Sequence, residues 1–296
     1  MEDNNENELK RLNRDIKQEQ VPWKSDLQRI ADLIKKSNIG ENESENNIEI
    51  IEEYNKTLQY RNLLINIFYI EARKKEKTNI ELVDDICDFY EGIKKWNSGN
   101  ENLKQEIWNV FIQETFIYLI AILMKTKRYK TINILITKSY LDFEYPDKVI
   151  PMDEYFYIAK NSISEAKKLI DKSETENGDA EQWIENLNEN VTKEEFIQAD
   201  LLIYNLSILL NDNECHWYPK TFMNSNHYLE KFSIQLKSNY EIERMKELFG
   251  ISQKTELSKL LEKMKISKHY ACLERGIYAE LITDYINGSD EVGKYN

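Results

Sequence analysis

The chain has 296 residues, of which 41% are apolar and 31% are charged, a composition that excludes an intrinsically disordered protein. Its 8 glycines and 4 prolines give too few turns for a β-rich architecture, so the composition predicts long helices. The net charge of -13 opposes attraction to phosphate backbones, and we expect no binding to bulk nucleic acid.

The cysteines and the N-terminus bear on the cellular compartment. Cys87, Cys215 and Cys272 are an odd and widely spaced set, which does not indicate a disulfide framework. Met1–Glu8 is acidic and lacks the apolar stretch of a signal peptide. The most apolar run, Phe116–Met124, is shorter than the ~20 residues of a membrane span. We therefore expect a cytoplasmic protein without a membrane partner.

The first quarter of the chain predicts an unstructured start followed by helices. Residues 1–20 are rich in Asn, Glu and Lys, and we expect a flexible acidic lead-in there. Apolar residues at helical spacing then predict a short helix over 25–40 and a single long helix over 48–75. Thr78 with Glu81 forms a capping box, which predicts the start of the next helix.

The middle of the chain contains the most apolar helix. It is predicted over Leu103–Thr126, and because apolar residues cover every side after Phe116, it should be surrounded by other helices. A helix over Tyr129–Phe143 should complete a hairpin with it. Pro146 and Pro151 then break the chain.

Helical spacing resumes after these prolines. It predicts a helix over Met152–Ile170, and the polar stretch 171–179 is the best internal boundary of the chain. Thr192 with Glu195 forms another capping box. Helices are predicted around 183–187 and over 196–210, 238–250, 257–264 and 268–287.

These elements predict an all-α chain of about ten helices in successive antiparallel hairpins, with no significant sheet. The helices form either a bundle or a solenoid-like curl. We divide the chain into a flexible lead-in at 1–20, N-terminal hairpins at 21–172, a linker at 173–180, a C-terminal part at 181–288 and a tail at 289–296. One continuous helical domain over 21–288 is the alternative.

Charged runs have a simple structural interpretation. The basic runs Arg73–Lys77 and Lys125–Lys130 lie where helices should end, and cations at a helix C-terminus complement the helix dipole. We therefore do not interpret them as nucleic-acid or lipid contacts. Acidic pairs such as Asp84 with Asp85, or Glu194 with Glu195, are interpreted as solvated or first-turn residues rather than as acid/base pairs.

No motif for catalysis or cofactor binding is found in the sequence. The glycine spacing excludes a dinucleotide fingerprint and a P-loop, and no Gly-x-Ser-x-Gly elbow occurs. The one set with zinc-ligand residue types is Cys215, His216, His269 and Cys272. Adjacent ligands such as Cys215 and His216 rarely bind one ion, so we interpret the four as packing residues. We predict no catalytic residue, no metal and no cofactor.

The most unusual local sequence is the aromatic loop at 217–222. Large aromatic residues flank Pro219, which restricts the backbone, outside any helical period. The loop is predicted either to fill the space between helices or to present a stiff binding surface. If it binds a partner, the candidate contacts are Trp217, Tyr218, Lys220 and Phe222. We favour the filling role, with Trp217 buried and Tyr218 partly exposed.

Several segments resemble a known family. The runs Ala199–Tyr204, Trp217–Thr221 and Lys246–Ile251, with Phe232 and Tyr240, are similar to the helical region beside Toll/interleukin-receptor-like domains in bacterial anti-phage proteins. The resemblance covers about residues 100–265 in loose pattern. In that family the neighbouring α/β domain cleaves nicotinamide dinucleotide, and this chain has no such domain. The resemblance therefore implies a sensing, scaffolding or oligomerising module.

The sequence thus predicts a non-enzymatic helical module that binds another protein or self-associates, as a sensor or regulatory subunit in bacterial anti-phage defence. A metal-dependent nuclease or nucleotide hydrolase with scattered acidic residues is one alternative. A helical-repeat scaffold that binds a peptide in a concave groove is another.

Overall fold

Helices make up nearly all of the regular structure in this protein. The computed structural model describes residues 2–18, 22–41, 46–74, 76–98, 103–142, 148–158, 162–171, 178–210, 217, 219–221, 239–253, 255–256 and 259. The helices are α1 (Glu2–Lys17), α2 (Trp23–Lys35), α3 (Asn47–Asn55), α4 (Leu58–Lys74), α5 (Asn79–Asn97), α6 (Leu103–Lys125), α7 (Tyr129–Thr137), α8 (Met152–Phe156), α9 (Ser162–Asp171), α10 (Gly178–Glu185), α11 (Lys193–Leu210) and α12 (Asn239–Phe249). Between α7 and α8, β1 (Ser139–Leu141) pairs antiparallel with β2 (Val149–Pro151). The predicted all-α class is confirmed.

Helix α6 is the centre of the bundle, as its apolar sequence predicts. Every side chain from Val110 to Leu123 is buried. The helix contacts α3, α4, α5, α7, α8, α9 and α11. In a solenoid, each repeat contacts only its neighbours, whereas α6 contacts many elements, as the central helix of a bundle does. Of the described helices, α6 alone is long and apolar enough to cross a bilayer, but 89% of its apolar window is buried inside the protein, which identifies it as a core helix.

The prediction of a flexible lead-in at 1–20 is wrong for residues 2–17, which form α1. Leu9, Leu12 and Ile16 lie three and four residues apart, so they share one face of this helix, and all three are buried. Helix α1 packs on α2 and α4. The polar composition of residues 1–20 made this apolar stripe difficult to recognise in the sequence. The stripe is sufficient to stabilise α1, because most helices in proteins are stabilised by packing rather than by helix propensity.

Three predicted helices are shorter than expected. The helix over 48–75 is interrupted between α3 and α4, where the Thr57 hydroxyl donates to the Tyr54 carbonyl at 2.7 Å and competes with the helical hydrogen-bond ladder. The helix over 129–143 ends early because the chain enters β1. The helix over 152–170 is split into α8 and α9.

The two halves of the chain share one core. Buried side chains from Leu9 to Phe249 belong to a single hydrophobic cluster. Helices α9 and α10, which flank residues 172–177, contact each other, and α11 packs on α6. The predicted boundary at 173–180 therefore does not separate two cores in the described part. The predicted helix over 268–287 and the tail at 289–296 lie outside the described residues.

A charged cluster is buried where α4 meets α6. Arg61 Nη1 lies 2.6 Å from Glu114 Oε1, and their side chains are 2% and 0% exposed. The Tyr54 hydroxyl of α3 donates to Glu114 Oε2 at 2.5 Å. Arg61 also donates to the Asn62 side chain and to the Asn186 carbonyl. Burial disfavours the charge on Arg61, but Glu114, Tyr118 and Tyr54 together outweigh this effect, so the pKa of Arg61 is raised.

Candidate functional site

The aromatic loop lies in the core, against α6 and α11. Trp217 is 0% exposed and Lys220 is 3% exposed. The centroid of the Trp217 ring lies 6.2 Å from that of Phe116 on α6 and 5.8 Å from that of Tyr157. The predicted burial of Trp217 is confirmed.

Asp200 of α11 anchors this loop. Its Oδ1 atom accepts a hydrogen bond from Trp217 Nε1 at 2.9 Å. Its Oδ2 atom accepts from both the backbone N–H and the hydroxyl of Thr221, each at 2.8 Å. Burial raises the pKa of the Asp200 carboxyl to about 6, although these donors and the charge of Lys220 act in the opposite direction.

Two of the four candidate partner contacts are buried, and the alternative that the loop binds a partner stays a prediction. Trp217 and Lys220 belong to the core, because a partner could reach neither side chain without unpacking the helices. Tyr218 and Phe222 lie outside the described residues. The physical reason for the burial is Asp200, whose three accepted hydrogen bonds hold the loop against α11.

The four residues with zinc-ligand side chains, Cys215, His216, His269 and Cys272, lie beyond the part of the chain that the structure describes. Within the described ranges, no group of three or more His, Cys, Asp or Glu side chains is arranged to hold a metal ion.

The acidic pairs make structural contacts. Asp85 accepts from Trp23 Nε1 at 2.9 Å and forms an ion pair with Lys24 at 2.9 Å, which ties α2 to α5. Glu195 closes a capping box: its side chain accepts from the Thr192 N–H at 2.9 Å, and its own N–H donates to the Thr192 hydroxyl at 3.2 Å. Glu194 and Glu195 lie in the first turn of α11, as interpreted, whereas Asp85 is buried in the middle of α5 and is neither solvated nor in a first turn.

The ribbon of β1 and β2 exposes an apolar surface. Leu141 and Val149 lie directly opposite each other in the register and are 48% and 62% exposed. On the inner face Tyr140 and Ile150 are buried, and the Tyr140 hydroxyl donates to the Leu135 carbonyl at 2.9 Å. The ribbon is therefore fixed on one face and apolar on the other.

Sequence analysis missed this ribbon because it assigned β1 to the end of a helix. The helical spacing of Ile132, Leu135 and Ile136 favoured a helix that continues past residue 137. The one sequence signal for a strand was Pro151, which sheets tolerate at an edge.

The two basic runs meet in space. The C-terminal ends of α4 and α6 border a cleft of about 340 Å³, lined by Tyr69, Arg73, Lys125, Thr126 and Lys127. In the sequence, the position of each basic run at a helix end explains its charge, so the sequence alone indicated no binding site. The packing of α4 on α6 brings the runs together.

Comparison with family models, with curated proteins and with solved structures gave no match. The resemblance to helical regions beside Toll/interleukin-receptor-like domains stays a prediction.

Trp217→Ala should lower the free energy of unfolding by about 3 to 5 kcal/mol, because it removes a fully buried indole and one hydrogen-bond donor of Asp200. Trp96→Ala is the matched control, since the Trp96 ring is only half-buried and packs against Trp108 at 6.0 Å. Urea denaturation of both variants measures the difference. Equal and small losses would contradict the core role of Trp217.

The titration of Asp200 should also be visible in stability. The native pKa of about 6 exceeds the ~3.9 of an unfolded carboxyl, so the folded protein holds this proton more tightly. The contribution of Asp200 is therefore complete below about pH 4 and is lost as the pH rises through the native pKa. Relative to Asp200→Asn, the wild type should lose about 3 kcal/mol across that window. A difference in unfolding free energy that does not change with pH would contradict this.

Proposed function

We propose that this chain is a non-enzymatic helical protein-interaction module that binds its partner through the outer face of the β1–β2 ribbon. The observation that supports this most is the pair Leu141 and Val149, which expose apolar surface at adjacent positions. Clustered apolar residues on a surface mark interaction sites, whereas single exposed ones are common in any protein.

The ribbon suits an extended segment of a partner protein. Each strand of a two-stranded ribbon has an outer edge, where a partner strand can add backbone hydrogen bonds. Apolar side chains of that segment would pack on Leu141 and Val149. A cavity of about 130 Å³ adjoins the ribbon and is lined by polar residues that include Asn97, Asn109 and Asp142. An apolar centre with a polar rim is the usual composition of a protein interface.

The inner face keeps this surface rigid. The rings of Tyr140 and Tyr155 stack at 4.7 Å with an interplanar angle of 22°, and the Tyr140 ring meets Phe156 edge-on at 5.3 Å. A surface that is already ordered loses little conformational entropy when it binds, so a small apolar area can contribute useful affinity.

The biological context that we propose is a sensor or regulatory subunit in bacterial anti-phage defence. It is supported by the resemblance of the runs Ala199–Tyr204, Trp217–Thr221 and Lys246–Ile251 to helical regions of such proteins. Since Trp217 is buried, the part of this motif that it supplies serves packing, which leaves the ribbon as the proposed partner surface.

Leu141→Lys combined with Val149→Lys should reduce partner binding by roughly tenfold or more, because it places two charges in an apolar contact. The test is affinity purification of the tagged chain after co-expression with the products of its neighbouring genes. Ile48→Lys combined with Ile80→Lys is the matched control, since these apolar side chains are 58% and 64% exposed elsewhere on the surface.

Thermal melts should show both double variants folded. If the Leu141 and Val149 double variant still binds the partner, the ribbon is not the binding surface. If none of the co-expressed proteins binds the wild-type chain, the proposed interaction function itself is contradicted.

A further inference from the structure

The cleft between the ends of α4 and α6 carries three positive charges, although the whole chain has a net charge of -13. Arg73, Lys125 and Lys127 supply the charges, and Tyr69 forms an aromatic wall. The guanidinium carbon of Arg73 lies 5.4 Å from the centroid of the Tyr69 ring, and Lys125 Nζ lies 5.9 Å from it.

Other side chains already form hydrogen bonds with backbone carbonyl groups near the helix ends at this cleft. Arg128 caps α4, since its Nε donates to the Ala72 carbonyl and its Nη1 to the Lys77 carbonyl, both at 3.2 Å. At the end of α6 the Thr126 hydroxyl donates to the Ile122 carbonyl at 2.8 Å. Hydrogen-bond capping of these helix ends therefore does not require the three cations of the cleft, whose charges also complement the helix dipoles.

The three cations of the cleft differ in whether an acidic side chain forms an ion pair with them. Lys125 forms an ion pair with Glu195 at 3.2 Å and donates to the Asn190 carbonyl at 2.9 Å. Arg73 and Lys127, in contrast, have no acidic side chain within 4.0 Å among the residues that the structure describes. Two of the three charges can therefore interact with an anion without first giving up an ion pair.

Lys127 occupies a backbone conformation that disfavours lysine. Its φ of 58° is the one positive value at a non-glycine residue in the described part of the chain. Its N–H donates to the Met124 carbonyl at 3.0 Å, and the next N–H donates to the Leu123 carbonyl at 2.8 Å, which is the Schellman pattern that glycine favours. The same pattern ends α12, where Gly250 has a φ of 62°. Lysine at this position costs stability that glycine would not, which indicates a role for its charge.

We propose that this cleft binds a small phosphorylated ligand, with the phosphate groups on Arg73, Lys125 and Lys127. Several cations suit a di- or triphosphate better than a single carboxylate, because each can form a charge-assisted hydrogen bond with a phosphate oxygen. The Tyr69 ring offers a surface to the uncharged part of the ligand. A nucleic-acid polymer fits less well, since the net charge of -13 repels phosphates outside the cleft. This site is independent of the β1–β2 ribbon.

Calorimetric titration of the full chain with inorganic pyrophosphate and with ADP tests this proposal. At low salt both probes should bind, and added sodium chloride should weaken both. Lys127→Gly should weaken binding roughly tenfold, while the midpoint of thermal unfolding stays equal or rises, because glycine relieves the backbone cost. Arg73→Gln should weaken binding to a similar extent. A role of these cations in helix capping alone would leave the affinity unchanged.

Lys104→Gln is the matched control. Lys104 lies at the opposite end of α6, with its Nζ 4.9 Å from the centroid of the Trp96 ring and 3.0 Å from a Glu41 carboxylate oxygen, so it resembles Lys125 in its surroundings. This variant should keep the wild-type affinity. The proposal is overturned if neither probe shows saturable binding up to about 5 mM, or if Lys127→Gly and Arg73→Gln bind as tightly as the wild type.

Discussion

The buried ion pair between Arg61 and Glu114 constrains the rest of this fold. Removing two charges from water is costly, and the cost is offset only where the charges meet each other and fill their remaining hydrogen-bonding positions. Here the Tyr54 hydroxyl and the Asn186 carbonyl fill such positions. Helices α3, α4 and α6 and the segment after α10 must therefore assemble together, because a missing member leaves a buried charge or polar group without a partner.

This constraint also positions the proposed ligand cleft. Arg61 and Glu114 fix the register of α4 against α6, and the cleft lies further along both helices, where Arg73 approaches the same tyrosine ring as Lys125. The two helices therefore run parallel, and α5 connects them in the sequence. The ribbon depends on the core in a different way, since Tyr140 holds it by aromatic stacking and by hydrogen bonding of its hydroxyl group. One core thus supports two separate surfaces.

Local signals in the sequence predicted much of the fold. The capping box of Thr78 with Glu81 begins α5 where expected, and the apolar run of α6 identified the central helix. The features that were missed depend on tertiary contacts. The pairing of Arg61 with Glu114 leaves no periodic pattern, because partners 53 residues apart meet only in the folded chain. The two basic runs likewise form a cleft only after α4 packs on α6. Of the predicted loop contacts, Trp217 illustrates how a stiff aromatic motif can signal packing as readily as binding.

A double-mutant cycle on the free energy of unfolding tests the central role of the charged cluster most directly. Arg61→Met and Glu114→Leu should each cost about 3 to 5 kcal/mol, because each leaves the opposite charge buried without its partner. The double variant should cost no more than either single variant, since no unpaired charge remains and the two apolar side chains can pack together. If the losses of the two single variants instead add in the double variant, the ion pair is not the interaction on which the assembly of these helices depends.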